Sequence, residues 1–170
     1  RFYETPGAPI PAGKQWCYSL FGMVNEYRGD SALLKNNKKQ AILYYREALK
    51  YFTSALKLCE EINRKILVAE KYIFLGRIYR KLHNNRLSRT YLLKAIPLTK
   101  DLRVKDLTVV CYRELSSLDS MEGNFKSAFE NSKLHKIYSD SLALETEKGK
   151  IESFTIQAEI NKKEEEILLL

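Results

Sequence analysis

The sequence predicts an all-α protein built as a stack of helix pairs. Long windows such as QAILYYREALKYFTSALKLCEEI and RLSRTYLLKAIPLTKDL place apolar residues at i, i+3, i+4 and i+7, and strict apolar–polar alternation is almost absent. Similar segments also recur at a fixed spacing. Aligning REALKYFTSALKL, RLSRTYLLKAIPL and KSAFENSKLHKIY puts Ala48, Ser88 and Ala128 in one column, forty residues apart. Phe52, Leu92 and Ser132 form a second column, and Ala55, Ala95 and His135 a third.

Bulk properties agree with a short repeat array. A chain of 170 residues, 45% hydrophobic and 29% charged, has the composition of a folded domain and not of a disordered tail. No run of about 18 apolar residues is present, so no membrane span is predicted here, and the first residues lack the charged-then-apolar layout of a signal peptide. The chain begins at Arg1 and stops on EEEILLL, so it reads as part of a longer protein, with a span possible just after it and further repeats expected upstream. Cys17, Cys59 and Cys111 are an odd set without metal-type spacing and read as buried small residues.

Taken in order, residues 1–14 hold three of the four prolines and two of the seven glycines and read as an extended arm. Helix pairs follow over residues 15–140, in units of about 15–62, 63–103 and 104–140. The first unit pairs YSLFGMVNEY, containing Gly22, with a helix carrying Ala48, Phe52 and Ala55. Matching Gly22 to Gly76 needs a spacing of 54, hence an insertion of 14 residues, placed in RGDSALLKNNKKQ. In the second unit, Gly76 sits inside a helix, where glycine costs roughly 1 kcal/mol relative to alanine. A close crossing explains it: Gly76 faces Ser88 on the next helix, and Ser116 and Ala128 repeat the contact. Pro97 falls inside the second helix of that unit and is expected to kink or end it. In the third unit Gly123 fits the turn between helices, and His135 is expected to be a buried, hydrogen-bonded histidine. Residues 141–170 read as one long charged helix, with Ile137, Leu144 and Ile151 seven apart and Glu159 and Lys163 placed for a surface pair. A helix this polar needs a partner or an attachment, and a homodimer through it is one expectation.

Tyr72, Leu75, Gly76, Tyr79, Ser88, Leu92 and Ala95 resemble the tetratricopeptide repeat, an aromatic-x-x-Leu-Gly-x-x-Tyr helix followed by Ala-x-x-x-Phe-x-x-Ala. Tyr112, Leu115, Ser116, Gly123, Phe125 and Ala128 match in the next unit. The resemblance implies a right-handed superhelical stack of three antiparallel helix pairs with a long C-terminal helix. The period of 40 exceeds the family's usual 34 and implies longer helices, as in bacterial regulatory members. The DSL, ETEKGKIE and KKEEEILLL stretches resemble the tail of tetratricopeptide sensor proteins of Bacteroidetes-type bacteria. In that group a periplasmic array leads through a long helix into a membrane span and a histidine kinase or helix-turn-helix output domain.

No nucleophile elbow, phosphate-binding glycine loop, His-Glu metal motif or paired cysteine ligand set is present, so no catalysis, cofactor or metal is expected. The resemblance instead implies a concave groove built from the first helix of each pair. Carried over position by position, it comprises Ser19, Met23 and Glu26, then Ile73, Arg77 and Arg80, then Arg113, Ser117 and Ser120. Arg77, Arg80 and Arg113 suit an acidic peptide or a carboxylate, because guanidinium forks bind such groups bidentately. Net charge is +8, and residues 62–106 alone hold twelve Lys/Arg against three Asp/Glu. Tyr72 and Tyr79 lie in packing columns instead of interleaving with these cations, which speaks against nucleic-acid binding. The expected function is a protein- or peptide-interaction module, the periplasmic sensor part of a signalling protein. A cytoplasmic peptide receptor or a free-standing adaptor is the alternative.

Overall fold

The computed structural model describes residues 10–168, which form six helices and no strand. They are α1 (Ile10–Leu34), α2 (Lys38–Glu61), α3 (Lys65–Lys81), α4 (Asn85–Asp101), α5 (Lys105–Met121) and α6 (Phe125–Leu168). Consecutive helices pack as the hairpins α1/α2, α3/α4 and α5/α6, with α2 against α3 and α4 against α5.

One turn geometry is used throughout. Each of the first five helices is followed by a three-residue turn whose middle residue, Asn36, Asn63, His83, Arg103 or Gly123, has positive φ, between 51° and 75°. The turns close alike: Asn36 N–H donates to Leu33 O at 2.8 Å and Asn37 N–H to Ala32 O at 2.9 Å, and the same pair recurs at the other four. That is the left-handed helix stop glycine favours, and only Gly123 meets it without a side-chain penalty. Asn37 and Asn84 then cap α2 and α4, each side chain accepting from the backbone N–H three residues on at 3.1 Å. The three shorter complete helices, α3, α4 and α5, are each 17 residues, so helix plus turn makes 20 and a hairpin makes the observed 40.

The expected close crossings are present. A Cβ on Gly76 would lie 2.7 Å from Leu92 Cγ and 3.3 Å from Ser88 O, and one on Gly22 would lie 2.5 Å from the Phe52 ring. In the third hairpin Ser116 Oγ donates to Ala128 O at 2.9 Å, so a hydroxyl takes up the same proximity. Ala48, Ala55, Ser88, Ala95 and Ala128 are all buried. Gly22 therefore does sit in the Gly76 column, and the insertion has a simple form. Beyond that column α1 and α2 each run seven residues further than α3 and α4 do, which is close to two whole turns. The helix faces keep their phase, and Gly29 meets Tyr45 as Gly22 meets Phe52, with no room for a Cβ against the ring. RGDSALLKNNKKQ is thus helix on both sides of the turn Lys35–Asn36–Asn37.

Three expectations are corrected. The arm expected over residues 1–14 is already helical from Ile10, because proline is tolerated in a first helical turn, where its missing N–H has no partner to lose; residues 1–9 lie outside the described part. Of the two effects expected of Pro97, a kink or an end, the end does not occur: α4 continues to Asp101. No boundary falls at residue 141, since the second helix of the third pair and the tail are the single 44-residue α6. His135 is half-buried, with Nδ1 3.1 Å from Val109 O.

The core follows the helix pairs. Tyr45, Ala48, Phe52 and Leu56 of α2 pack with Leu75 and Ile78 of α3, and Leu92 of α4 packs with Tyr112 and Leu115 of α5. Lys105 anchors the outer stretch of α6, bonding Ser141 Oγ at 2.9 Å and pairing with Glu145. From residue 143 to 164 every residue of α6 is exposed.

Candidate functional site

The first helices of the hairpins are joined to one another by a ladder of ion pairs. Arg77 on α3 donates through Nε to Glu26 Oε1 at 2.6 Å and through Nη2 to Glu26 Oε2 at 2.5 Å. One turn on, Lys81 Nζ lies 2.8 Å from Glu26 Oε1 and 2.7 Å from Asp30 Oδ1, and Asp30 also accepts from Tyr45 OH at 2.6 Å. In the other direction Arg80 donates through Nε and Nη2 to Glu114 Oε2 on α5, at 3.2 and 2.8 Å. Arg113 Nη2 lies 3.6 Å from the other Glu114 oxygen. Glu26 and Glu114 are buried, so each two-bond contact works where water screens little. Burial and the hydrogen bond to Asp30 push the Tyr45 phenol well above its ordinary value.

The nine expected groove residues divide accordingly. Glu26, Arg77, Arg80 and Arg113 belong to the ladder, and Met23 borders an open depression lined by Glu26, Tyr27, Asp30, Arg77 and Lys81. Ser120 is exposed, and Ser117 bonds back to Arg113 O at 3.0 Å. Ser19 is buried and donates to Gln15 O at 2.8 Å. Ile73 is fully withdrawn: it packs with Ala95 and Cys111 and lines no surface. The three arginines do not converge on one open point. Arg77 turns toward α1 and Arg80 toward α5, and the carboxylates they hold come from this chain.

Asp30, Lys81 and Glu114 complete the ladder and were not among the expected residues. A signal for them existed in the charge distribution. The cation-rich stretch 62–106 begins after the acids of α1 and ends before Glu114, Asp119 and Glu122. Arg77, Arg80, Lys81, Arg89 and Lys105, five of its twelve cations, pair with acids outside it: Glu26, Asp30, Glu114, Asp119, Glu122 and Glu145. Arg89 Nη2 reaches both Asp119 of α5 and Glu122, just after that helix, at 2.5 Å. Lys94 and Lys100 stand over aromatic rings, Lys100 between those of Tyr112 and Tyr138. Much of the regional excess is therefore balanced across helices.

The described residues contain no group of three or more His, Cys, Asp or Glu that could hold a metal ion. Cys59 and Cys111 are buried, and burial pushes the Cys111 thiol from 9.0 to about 12, away from the thiolate a nucleophile needs. No described helix is long and apolar enough to cross a membrane. No protein-family model matches the sequence, and no curated protein matches it significantly.

Proposed function

We propose that this chain is a non-catalytic interaction module of the tetratricopeptide type that binds a protein or peptide against α1, α3 and α5. The observation that carries this is the recurrence of one close crossing, Gly22 on Phe52, Gly76 on Leu92 and Ser116 on Ala128, at equivalent places in three hairpins. Stacked hairpins of that kind present an extended surface whose shape the array fixes in advance. The ladder modifies the expected ligand. Arg77 and Arg80 are already neutralised by Glu26 and Glu114, so a strongly acidic peptide would have to displace internal carboxylates. A peptide with an apolar anchor beside Met23 and Tyr27 and a carboxylate near Arg113, which is exposed and only loosely paired with Glu114, leaves the closer pairs of Arg77 and Arg80 intact.

The sensor role extends this proposal: a ligand that favours one spacing of α1, α3 and α5 shifts the array only if it binds the alternatives unequally, and α6, continuous with the last hairpin, conveys the change. The periplasmic placement and the kinase or DNA-binding output rest on the resemblance of the tail.

The test is to select peptides against the wild type from a displayed library and measure their affinity by fluorescence anisotropy. Met23→Glu with Arg113→Glu should weaken the selected peptides by at least about tenfold, whereas Lys57→Glu on the exposed side of α2 should not. Peptides that bind the double variant as tightly as the wild type would remove the groove from the proposal.

A further inference from the structure

The two ends of the stack are the two halves of one joint. Inside the molecule that joint occurs twice. At the first, Leu75 and Ile78 of α3 are covered by α2; at the second, Leu115 and Leu118 of α5 occupy the same columns, Leu115 packing on Leu92 of α4. All four are at most 3% exposed. The same columns of α1 hold Phe21 and Val24, which are apolar too, yet 54% and 45% exposed, because no second helix precedes α1 among the described residues.

The opposite end mirrors this. Tyr45 and Leu49 of α2 pack in the cluster that holds Leu75 and Ile78 of the following hairpin, and Arg89, in the Leu49 column of α4, reaches forward to Asp119 of α5 and to Glu122 just after it. In α6 those columns hold Phe125 and Phe129, 74% and 63% exposed. Further along, Ser132 and Lys136 replace Phe52 and Leu56, so this face is apolar over its first half and polar beyond. Terminal repeats of a self-sufficient array carry polar outer faces, because an apolar one invites another unit.

We propose that the chain associates head to tail, the Phe21–Val24 face of α1 in one copy docking on the Phe125–Phe129 face of α6 in the next. A second copy is the favoured occupant because each end lacks what the other end supplies, and the internal joints show how such halves meet. The polar half of the α6 face makes the association weak and reversible. This contact is heterologous, so it does not close on itself with two copies. It is independent of the peptide groove: losing self-association would leave peptide binding intact, and the reverse.

The experiment is sedimentation velocity on the wild type, on Phe21→Glu/Val24→Glu, on Phe125→Glu/Phe129→Glu, and on an equimolar mixture of the two variants. Concentrations run from about 5 µM to about 500 µM, a range that spans weak association. The wild-type mass should rise with concentration past that of a dimer. Each variant alone should stay monomeric, and the mixture, which restores one good joint, should stop at a dimer. Circular dichroism checks that each variant folds; if either glutamate pair unfolds the chain, the corresponding serine pair replaces it. A wild type that stays monomeric throughout overturns the proposal and leaves these faces to further hairpins or a foreign partner. So does self-association that survives the α1 variant but not the α6 variant, which would indicate symmetric pairing of α6 with itself.

Discussion

Glu26 on α1 holds Arg77 on α3 through two hydrogen bonds, although 51 residues separate them in sequence. The carboxylate is buried and the guanidinium partly so, and Lys81 shares the same Glu26 oxygen. Removing the acid leaves two cations without their partner. Glu26→Gln should lower the unfolding free energy by about 2 kcal/mol, between the values typical of surface and buried pairs. Adding Arg77→Met should recover part of that loss, and urea unfolding of the two single variants and the double variant measures the coupling.

Space decides what glycine replacement does. Gly76→Ala drives a methyl into Leu92, and Gly29→Ala drives one into the Tyr45 ring. Each should destabilise by about 1–2 kcal/mol, since overpacking outweighs the helix propensity gained. Gly149 in α6 has nothing within 4 Å, so Gly149→Ala should slow amide exchange around it by up to about fivefold, as a propensity gain near 1 kcal/mol predicts. If Gly76→Ala stabilised the fold, the close crossing would not be tight.

Arg103 holds a φ of 56°, and Val104 after it caps α5 without a side-chain hydrogen bond. Arg103→Gly should stabilise by about 1 kcal/mol, and Val104→Asn, which copies Asn37 and Asn84, by a similar amount. Thermal melts of the two single variants and their combination would show whether the gains add.

Alkaline pH should unfold the protein before acid does any comparable harm through these groups. The Cys111 thiol rises from 9.0 to about 12 through burial, and the Tyr45 phenol is also raised, first by burial and then by Asp30. Each keeps its proton in the folded state where the unfolded chain would lose it. Their contribution is therefore complete below about pH 9 and is lost as pH climbs toward 12, with a slope of up to about 1.4 kcal/mol per pH unit per group. Urea midpoints at several pH values measure it, and Cys111→Ala should flatten the curve between pH 9 and 10. With a thiol reagent at pH 8, half-buried Cys17 should react first, and Cys59 and Cys111 only on unfolding.

Beyond the Lys105 contacts with Ser141 and Glu145, every residue of α6 up to 164 is exposed among the described residues. Ending the chain after residue 146 should change the melting temperature by less than about 2 °C, since almost no buried apolar surface is removed. A larger fall would mean that the outer helix is held by another molecule.

Much of this architecture is legible from residues 41–140. The columns Ala48/Ser88/Ala128 and Gly76/Ser116 mark where helices cross, because a small side chain at a fixed spacing is what lets two helix backbones approach closely in every pair. Length was harder. The insertion after Gly22 was visible as a count of residues, but its division into two turns on each helix follows from the Gly29–Tyr45 contact, which no local pattern announces. A position one turn before Arg77 puts Ile73 in the groove by pattern alone, whereas packing against Ala95 and Cys111 takes it inward.

Periodicity, small-residue columns and turn residues concern neighbours along the chain, and from them the sequence alone settled the helical class, the pairing of helices and the 40-residue spacing. Only the tertiary structure decided which carboxylates neutralise Arg77 and Arg80, that α6 is unbroken, and that apolar faces lie open at both ends of the described stack. Ion pairing depends on distance through space, and burial on which helix lies across the joint. Glu26 and Glu114 became partners of one helix because two flanking hairpins bring them there, a relation that 51 and 34 residues of separation conceal.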